Sequence, residues 1–230
     1  MQKLRVRFAK RGRLRFTSHR DFQRAFERAL RRADVPMAYS HGFTPHPKVS
    51  YAGATPTGAA SEAEYLELSL TRVCDPGDIR AALDRALPPG LDIVEVVEAG
   101  AGALADRLQA SRWRIELPGA DGAEVAAAVE TFLAADSVEV ERLTKNGVRR
   151  LDPRQAVLSA SVDSADDPVT VRLVVQHQSP TVRPEEVLAG LRSVAGFVPP
   201  APPRSVRLGQ GIWDGDDDTL RDPLAADRRG

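Results

Sequence analysis

The sequence predicts an α+β fold of two units in tandem, each a mostly antiparallel sheet with helices on one face. Three observations predict it. Apolar and charged residues alternate in short runs, the period of half-buried strands. Between those runs, apolar residues recur every three or four positions, the period of amphipathic helices. The order strand, helix, strands, helix, strand occurs twice, in residues 1–98 and 110–209 of the 230.

In the first unit, Leu4, Val6 and Phe8 alternate with Lys3, Arg5 and Arg7. Lys10-Arg11-Gly12 reads as a turn, and Leu14 and Phe16 then alternate with Arg13 and Arg15. That pattern predicts a hairpin. Ser18, with Asp21 three residues on, caps a helix whose apolar stripe is Phe22, Ala25, Phe26, Ala29, Leu30 and Ala33. Pro36 lies beyond its end. Residues 41–58 are rich in glycine and proline and read largely as a long loop, a kind of segment that often carries function. Leu66, Leu68 and Leu70 mark a strand, residues 76–87 a helix on Ile79, Ala82, Leu83 and Ala86, and residues 91–97 a strand.

Residues 99–109 read as a linker. In the second unit, Trp113, Ile115 and Leu117 mark a strand, and Val125, Val129, Phe132 and Leu133 the inner face of a helix. Strands follow at 138–143, 148–151, 156–162 and 169–175, then a helix with Pro184 in its first turn and a last strand at 206–208. Residues 210–230 hold six Asp and no apolar period, which predicts an acidic disordered tail. These element orders predict ferredoxin-like or RNA-recognition-motif-like units.

Composition narrows the function. Net charge is zero, but residues 1–50 hold 13 Lys and Arg against 3 Asp and Glu, a surplus of +10. Codon bias accounts for 28 Arg against 4 Lys but not for this clustering, which points to an anionic partner. No apolar run is long enough to cross a bilayer. The N-terminus shows no apolar stretch of the signal-peptide kind, and the single Cys74 excludes an internal disulfide and any multi-cysteine metal site. A cytoplasmic protein with no membrane partner and no cofactor is expected. Phosphate-binding loops, dinucleotide fingerprints, hydrolase elbows and zinc-protease motifs are absent from the sequence.

Several residues carry candidate chemistry. If Leu4, Val6, Phe8, Leu14 and Phe16 face the helices, Arg5, Arg7, Arg13 and Arg15 share the opposite sheet face. Four guanidiniums on adjacent strands repel unless anions lie between them. They read as a phosphate-tracking surface, or else as partners of Glu64, Glu67 or Glu95. Tyr39, Phe43, His46 and Lys48, in or beside the long loop, supply stacking and charge for a nucleotide. Arg20, Arg24, Arg28 and Arg31 read as a solvated helix face or a second basic stripe. His19, His41 and His46 admit structural, nucleic-acid-contact, acid–base and metal-binding readings. Cys74 reads as a buried free thiol.

The stretch from Arg5 to Leu68 carries a further signal. Arg7, Phe8, Lys10, Gly12, Leu14, Arg15, Phe16, Ser18, His19 and Asp21 form one run, followed by Arg24, Phe26, Glu27 and Arg28. Tyr39, Ser40, Gly42, Phe43, Pro45, His46 and Pro47 form another, and Glu64 and Tyr65 continue it. Together these residues resemble the radical-SAM-linked family of uncharacterised bacterial proteins, strongly over the first 70 residues. The resemblance implies a free-standing accessory domain that works beside a radical-SAM enzyme on RNA. With Cys74 its only cysteine, this chain lacks the three-cysteine cluster motif and is not itself that enzyme.

The expected function is therefore a non-catalytic accessory protein that binds RNA and presents it to a radical-SAM enzyme encoded separately. Two alternatives stand beside it. One is a metal-independent endoribonuclease using His19, His41 or His46. The other is a protein-binding scaffold for the radical-SAM partner without RNA contact.

Overall fold

The computed structural model describes residues 1–145 and 147–229. The chain divides into two compact units, one of Met1–Leu108 with Arg221–Gly230 and one of Gln109–Leu220. Both mix helices with mostly antiparallel sheet.

The first unit runs β1 (Gln2–Lys10), α1 (His19–Arg32), β2 (Val49–Ala52), β3 (Ala60–Leu70), α2 (Pro76–Ala86) and β4 (Leu91–Glu98). β1 is central. It pairs antiparallel with β3, Val6 opposite Leu66, and with β4, Val6 opposite Val96. β2 pairs antiparallel with β3, Val49 opposite Leu68, so these four strands lie in the order β4-β1-β3-β2. The predicted alternation is kept. Leu4, Val6, Phe8, Leu66, Leu68 and Leu70 form one core with Phe22, Phe26 and Leu30 of α1 and Ile79 and Leu83 of α2. Each such side chain contributes about 1.5–3 kcal/mol by leaving water. Ser18 caps α1 by accepting the Asp21 amide at 3.2 Å, and Asp75 caps α2 by accepting the Asp78 amide at 3.1 Å.

Three expectations for this unit are corrected. Residues Gly12–Phe16 form a 3-10 turn, not the second strand of a hairpin. Both edges of β1 are occupied by β3 and β4, which leaves no edge for residues 13–16 to pair with. Gly12, at φ +55°, turns the chain into i→i+3 bonding, with the Leu14 amide on the Arg11 carbonyl at 3.1 Å. Secondly, the residues at 99–109 expected as a linker fold into this unit up to Leu108. Leu104 and Leu108 pack with Leu224 against Ala63, Tyr65 and Val97, on the sheet face away from the helices. Thirdly, the stretch expected as a disordered tail at 210–230 carries regular structure in its described residues. They hold the end of β10 (Arg204–Asp214), β11 (Thr219–Arg221) and a 3-10 turn at Asp227–Arg229. Leu224 is fully buried, and Asp227 is buried on Arg5.

The second unit runs β5 (Ala110–Leu117), α3 (Gly122–Ala134), β6 (Val140–Thr144), β7 (Gly147–Leu151), α4 (Pro153–Ala156), β8 (Val157–Asp163), β9 (Val169–Gln176), α5 (Pro184–Ala195) and β10. β5 pairs antiparallel with β9 and β10, and β9 with β8, giving the order β10-β5-β9-β8. β6 and β7 form a separate hairpin. Trp113, Ile115, Leu117, Val125, Val129, Phe132, Val187 and Leu191 are buried, as the apolar periods predict. Glu186, in the first turn of α5, accepts the Arg183 amide at 2.7 Å and Arg142 Nε at 2.7 Å.

Candidate functional site

The sheet of the first unit ends in a recess. It is lined by Phe8 and Lys10 of β1, Thr17 and His19 at the entry to α1, Phe22, Tyr51 of β2, Thr55, and Glu64 and Tyr65 of β3, and is a small hollow with room for little more than about one water molecule. One side is aromatic. The Phe8 and Phe22 rings stack 4.5 Å apart and nearly parallel, at 4°. Tyr51 stands edge-on to Phe22 at 6.0 Å, and His19 edge-on to Tyr51 at 5.2 Å.

The other side is polar. Lys10, Thr55 and Glu64 are all buried. The Glu64 carboxylate accepts the Thr55 amide at 3.1 Å and the Thr55 hydroxyl, and Lys10 Nζ donates to the Thr55 carbonyl at 3.5 Å. Burial pushes the Tyr51 phenol well above its ordinary pKa, with the Glu27 charge adding to the shift, so Tyr51 is a neutral hydroxyl across the physiological range.

The local sequence explains this placement. Glu64 follows the parity of Leu66, Leu68 and Leu70 and so points to the helix side of the sheet, opposite Phe8. The β1–β3 register slips between the Phe8–Glu64 and Lys10–Ser61 pairs, a bulge at the recess. His19 is the first residue of α1, placed by the Ser18 cap.

The predicted phosphate surface is not assembled. Arg5 is 1% exposed, bonded to Glu67 at 3.0 Å and to Asp227. Arg7 is half-buried, its Nε on the Glu62 carbonyl at 3.0 Å. Arg13 and Arg15 stand apart from both, on the 3-10 turn, with the Arg15 guanidinium 4.7 Å from the Phe16 ring centre. The four do not share a face, because the hairpin that would have put them there does not form. Glu67 pairs with Arg5 and Glu95 with Arg228, whereas Glu64 turns to the recess.

Of the three candidate histidines, only His19 lines the recess. His41 and His46 are exposed in the loop between Tyr39 and Lys48. That loop is closed by the Ser40 amide on the His46 carbonyl at 2.8 Å and the His46 amide on Ser40 Oγ at 3.0 Å. It is tied to the Ser69 end of β3, while the recess lies at the Glu64 end. The four residues of β2, roughly 13 Å, separate the two. Tyr39 is 48% exposed and Phe43 fully exposed. Cys74 is half-buried and packs against the first core.

Sequence reasoning missed Lys10, Tyr51, Thr55 and Glu64 as one site. A signal for two of them was present. Lys10 follows the parity of Leu4, Val6 and Phe8, and Glu64 that of Leu66, Leu68 and Leu70. A charge on an apolar stripe is costly unless it has a partner or a task.

Among the described residues, no group of three or more His, Cys, Asp or Glu is placed to hold a metal ion, and no helix is long and apolar enough to cross a membrane. No curated protein matches the sequence. Residues 3–184 match the model of a family described as an uncharacterised protein conserved in bacteria (DUF2344), a description that names no enzyme partner. Because that match spans well over half of the 230 residues and includes every residue lining the recess, the chain belongs to this bacterial family.

Proposed function

We propose that this protein binds single-stranded RNA without a reaction of its own and presents it to a separately encoded enzyme. The observation that carries this reading is a set of exposed aromatics, Phe16, Tyr39 and Phe43, in the segment with the +10 charge surplus. Arg13 and Arg15 share the 3-10 turn with Phe16, and His41, His46 and Lys48 share the loop with Phe43. Exposed aromatic faces are costly in water and suit base stacking, while the cations track phosphates. Arg5 and Arg7 have no part in it. The resemblance to the radical-SAM-linked family suggests a radical-SAM enzyme as the one served.

The strand orders support the finer fold reading. In β4-β1-β3-β2 and in β10-β5-β9-β8, each helix joins strands on either side of an intervening one, with the β6–β7 hairpin and α4 as an insertion in the second unit. We read both as ferredoxin-like.

The test is fluorescence anisotropy with a labelled 12-mer of mixed-sequence single-stranded RNA. About four phosphate contacts predict a log–log salt slope of roughly −3. Arg13→Gln with Arg15→Gln should make the slope shallower by about 1.4. Phe43→Ala should cost about 1–3 kcal/mol of binding without altering the fold. Absence of binding, or a flat salt response, overturns the reading and favours a protein-binding scaffold.

A further inference from the structure

We infer that Arg20, Arg24, Arg28 and Arg31 of α1 form a rail for the phosphates of single-stranded RNA, which rests on the RNA-binding reading above. At 3.6 residues per turn the four fall within about 80° of one another around the helix. They stand opposite Phe22, Phe26 and Ala29, which α1 buries, and all four are exposed.

Elsewhere in the chain arginines find carboxylates. Arg5, Arg11, Arg107, Arg142, Arg172 and Arg228 each form an ion pair. Among the described residues, none of the four α1 side chains has an ion-pair or hydrogen-bond partner. The two acids of α1 have other neighbours. Asp21 accepts the Ser18 hydroxyl at 2.7 Å, and the half-buried Glu27 bears on Tyr51 of β2. Like charges one turn apart weaken a helix, and Arg20 stands in the first turn, where the helix dipole favours acids. The arrangement is unfavourable in the free chain and becomes favourable when an anion lies across it.

That anion is an extended polymer. From Arg20 to Arg31 the stripe runs about 16 Å along the helix axis, more than a single phosphate can bridge. Exposed aromatics lie near both ends of α1 along the chain. Arg13, Arg15 and Phe16 occupy the 3-10 turn just before the Ser18 cap, and residues 33–38 lead from the end of α1 to Tyr39 and Phe43. Bases on aromatics at either end with phosphates on cations between them is how single strands are held without regard to sequence. A lipid surface suits the stripe less. A membrane-bound amphipathic helix sinks its apolar face into the bilayer, and α1 has committed Phe22, Phe26 and Leu30 to the core.

The experiment follows anisotropy of the labelled RNA 12-mer with the full chain over a salt series. Arg24→Gln with Arg28→Gln should weaken binding about tenfold or more and make the log–log slope shallower by about 1.4. Arg80→Gln with Arg85→Gln removes the same charge from exposed positions of α2, and near physiological salt, screening should hold its effect to less than about twofold. Gln matches Arg in helix propensity, so circular dichroism should report the wild-type fold in both. Arg24→Lys with Arg28→Lys keeps the charge and should keep the slope.

If the α1 glutamine variant binds the 12-mer with wild-type affinity and slope, the rail is overturned and the RNA-binding reading stands. If the α1 and α2 variants lose affinity equally, the rail is overturned in favour of a diffuse positive field. If the wild-type chain does not bind the 12-mer, both are overturned, and cosedimentation with phosphatidylserine vesicles would then assign the stripe to a lipid surface.

Discussion

Arg5 Nη1 donates to both carboxylate oxygens of Asp227, at 2.9 and 2.8 Å, across 222 positions of sequence. Neither side chain is more than 1% exposed. Arg107 Nη1 adds a bond to Asp227 at 2.8 Å and the Gly100 amide another at 3.0 Å. A buried ion pair offsets its desolvation only when further hydrogen bonds satisfy both partners, and here they do. The acidic C-terminal segment is therefore the inner partner of a guanidinium that the alternation of β1 had turned to the far side of the sheet.

Removing that partner should be costly. Asp227→Ala leaves Arg5 buried with Glu67 as its remaining carboxylate, and breaking such a pair costs about 3–5 kcal/mol. A thermal melt followed by circular dichroism should show a drop of more than roughly 10 °C for a unit of this size. A change below about 2 °C would show that the segment detaches at no cost.

The same pair makes stability depend on acid. Burial works against the charged form of Asp227, but hydrogen bonds from Arg5, Arg107 and Gly100 outweigh it and hold its pKa below the ordinary carboxylate value. The unfolded chain binds that proton first as pH falls. The contribution of Asp227 is thus complete above its unfolded pKa of about 3.9 and is lost as pH drops through the lower folded value. Urea melts from pH 7 to pH 3 should show a midpoint that falls at the acid end, and the Asp227→Asn variant should show a shallower fall.

The second unit has no room at Gly190. A Cβ there would sit 2.7 Å from Phe132 Cε2 and 3.3 Å from Pro153 Cγ. Gly190→Ala should destabilise this unit by about 1–3 kcal/mol through overpacking between α3 and α5. A chemical melt that matches wild type would show that the Phe132 ring moves aside freely.

Ser18→Ala removes the side-chain acceptor of the Asp21 amide at the start of α1. The expected loss is about 0.5–2 kcal/mol. Because the cap also sets the position of His19, hydrogen exchange at Arg20, Asp21 and Phe22 should quicken before that at Phe26 or Leu30. Uniform exchange along α1 would separate the cap from the geometry of the recess.

The sequence by itself determined the elements that follow a local period. Leu4, Val6 and Phe8 declared β1, the Phe22–Leu30 stripe declared α1, and Ser18 and Asp21 declared its start, because these depend on neighbours within a few residues. The tertiary structure alone decided what local periods cannot hold. Residues 13–16 alternate like a strand, yet both edges of β1 were already taken by strands from more than 40 residues away, so they closed into a 3-10 turn. Arg5 reads as an exposed cation until Asp227 arrives from the other end of the chain. Lys10, His19, Tyr51, Thr55 and Glu64 become one recess only when β1, β2, β3 and the start of α1 are packed together. Backbone pairing and burial act between residues distant in sequence, and they select among the structures that local preference allows.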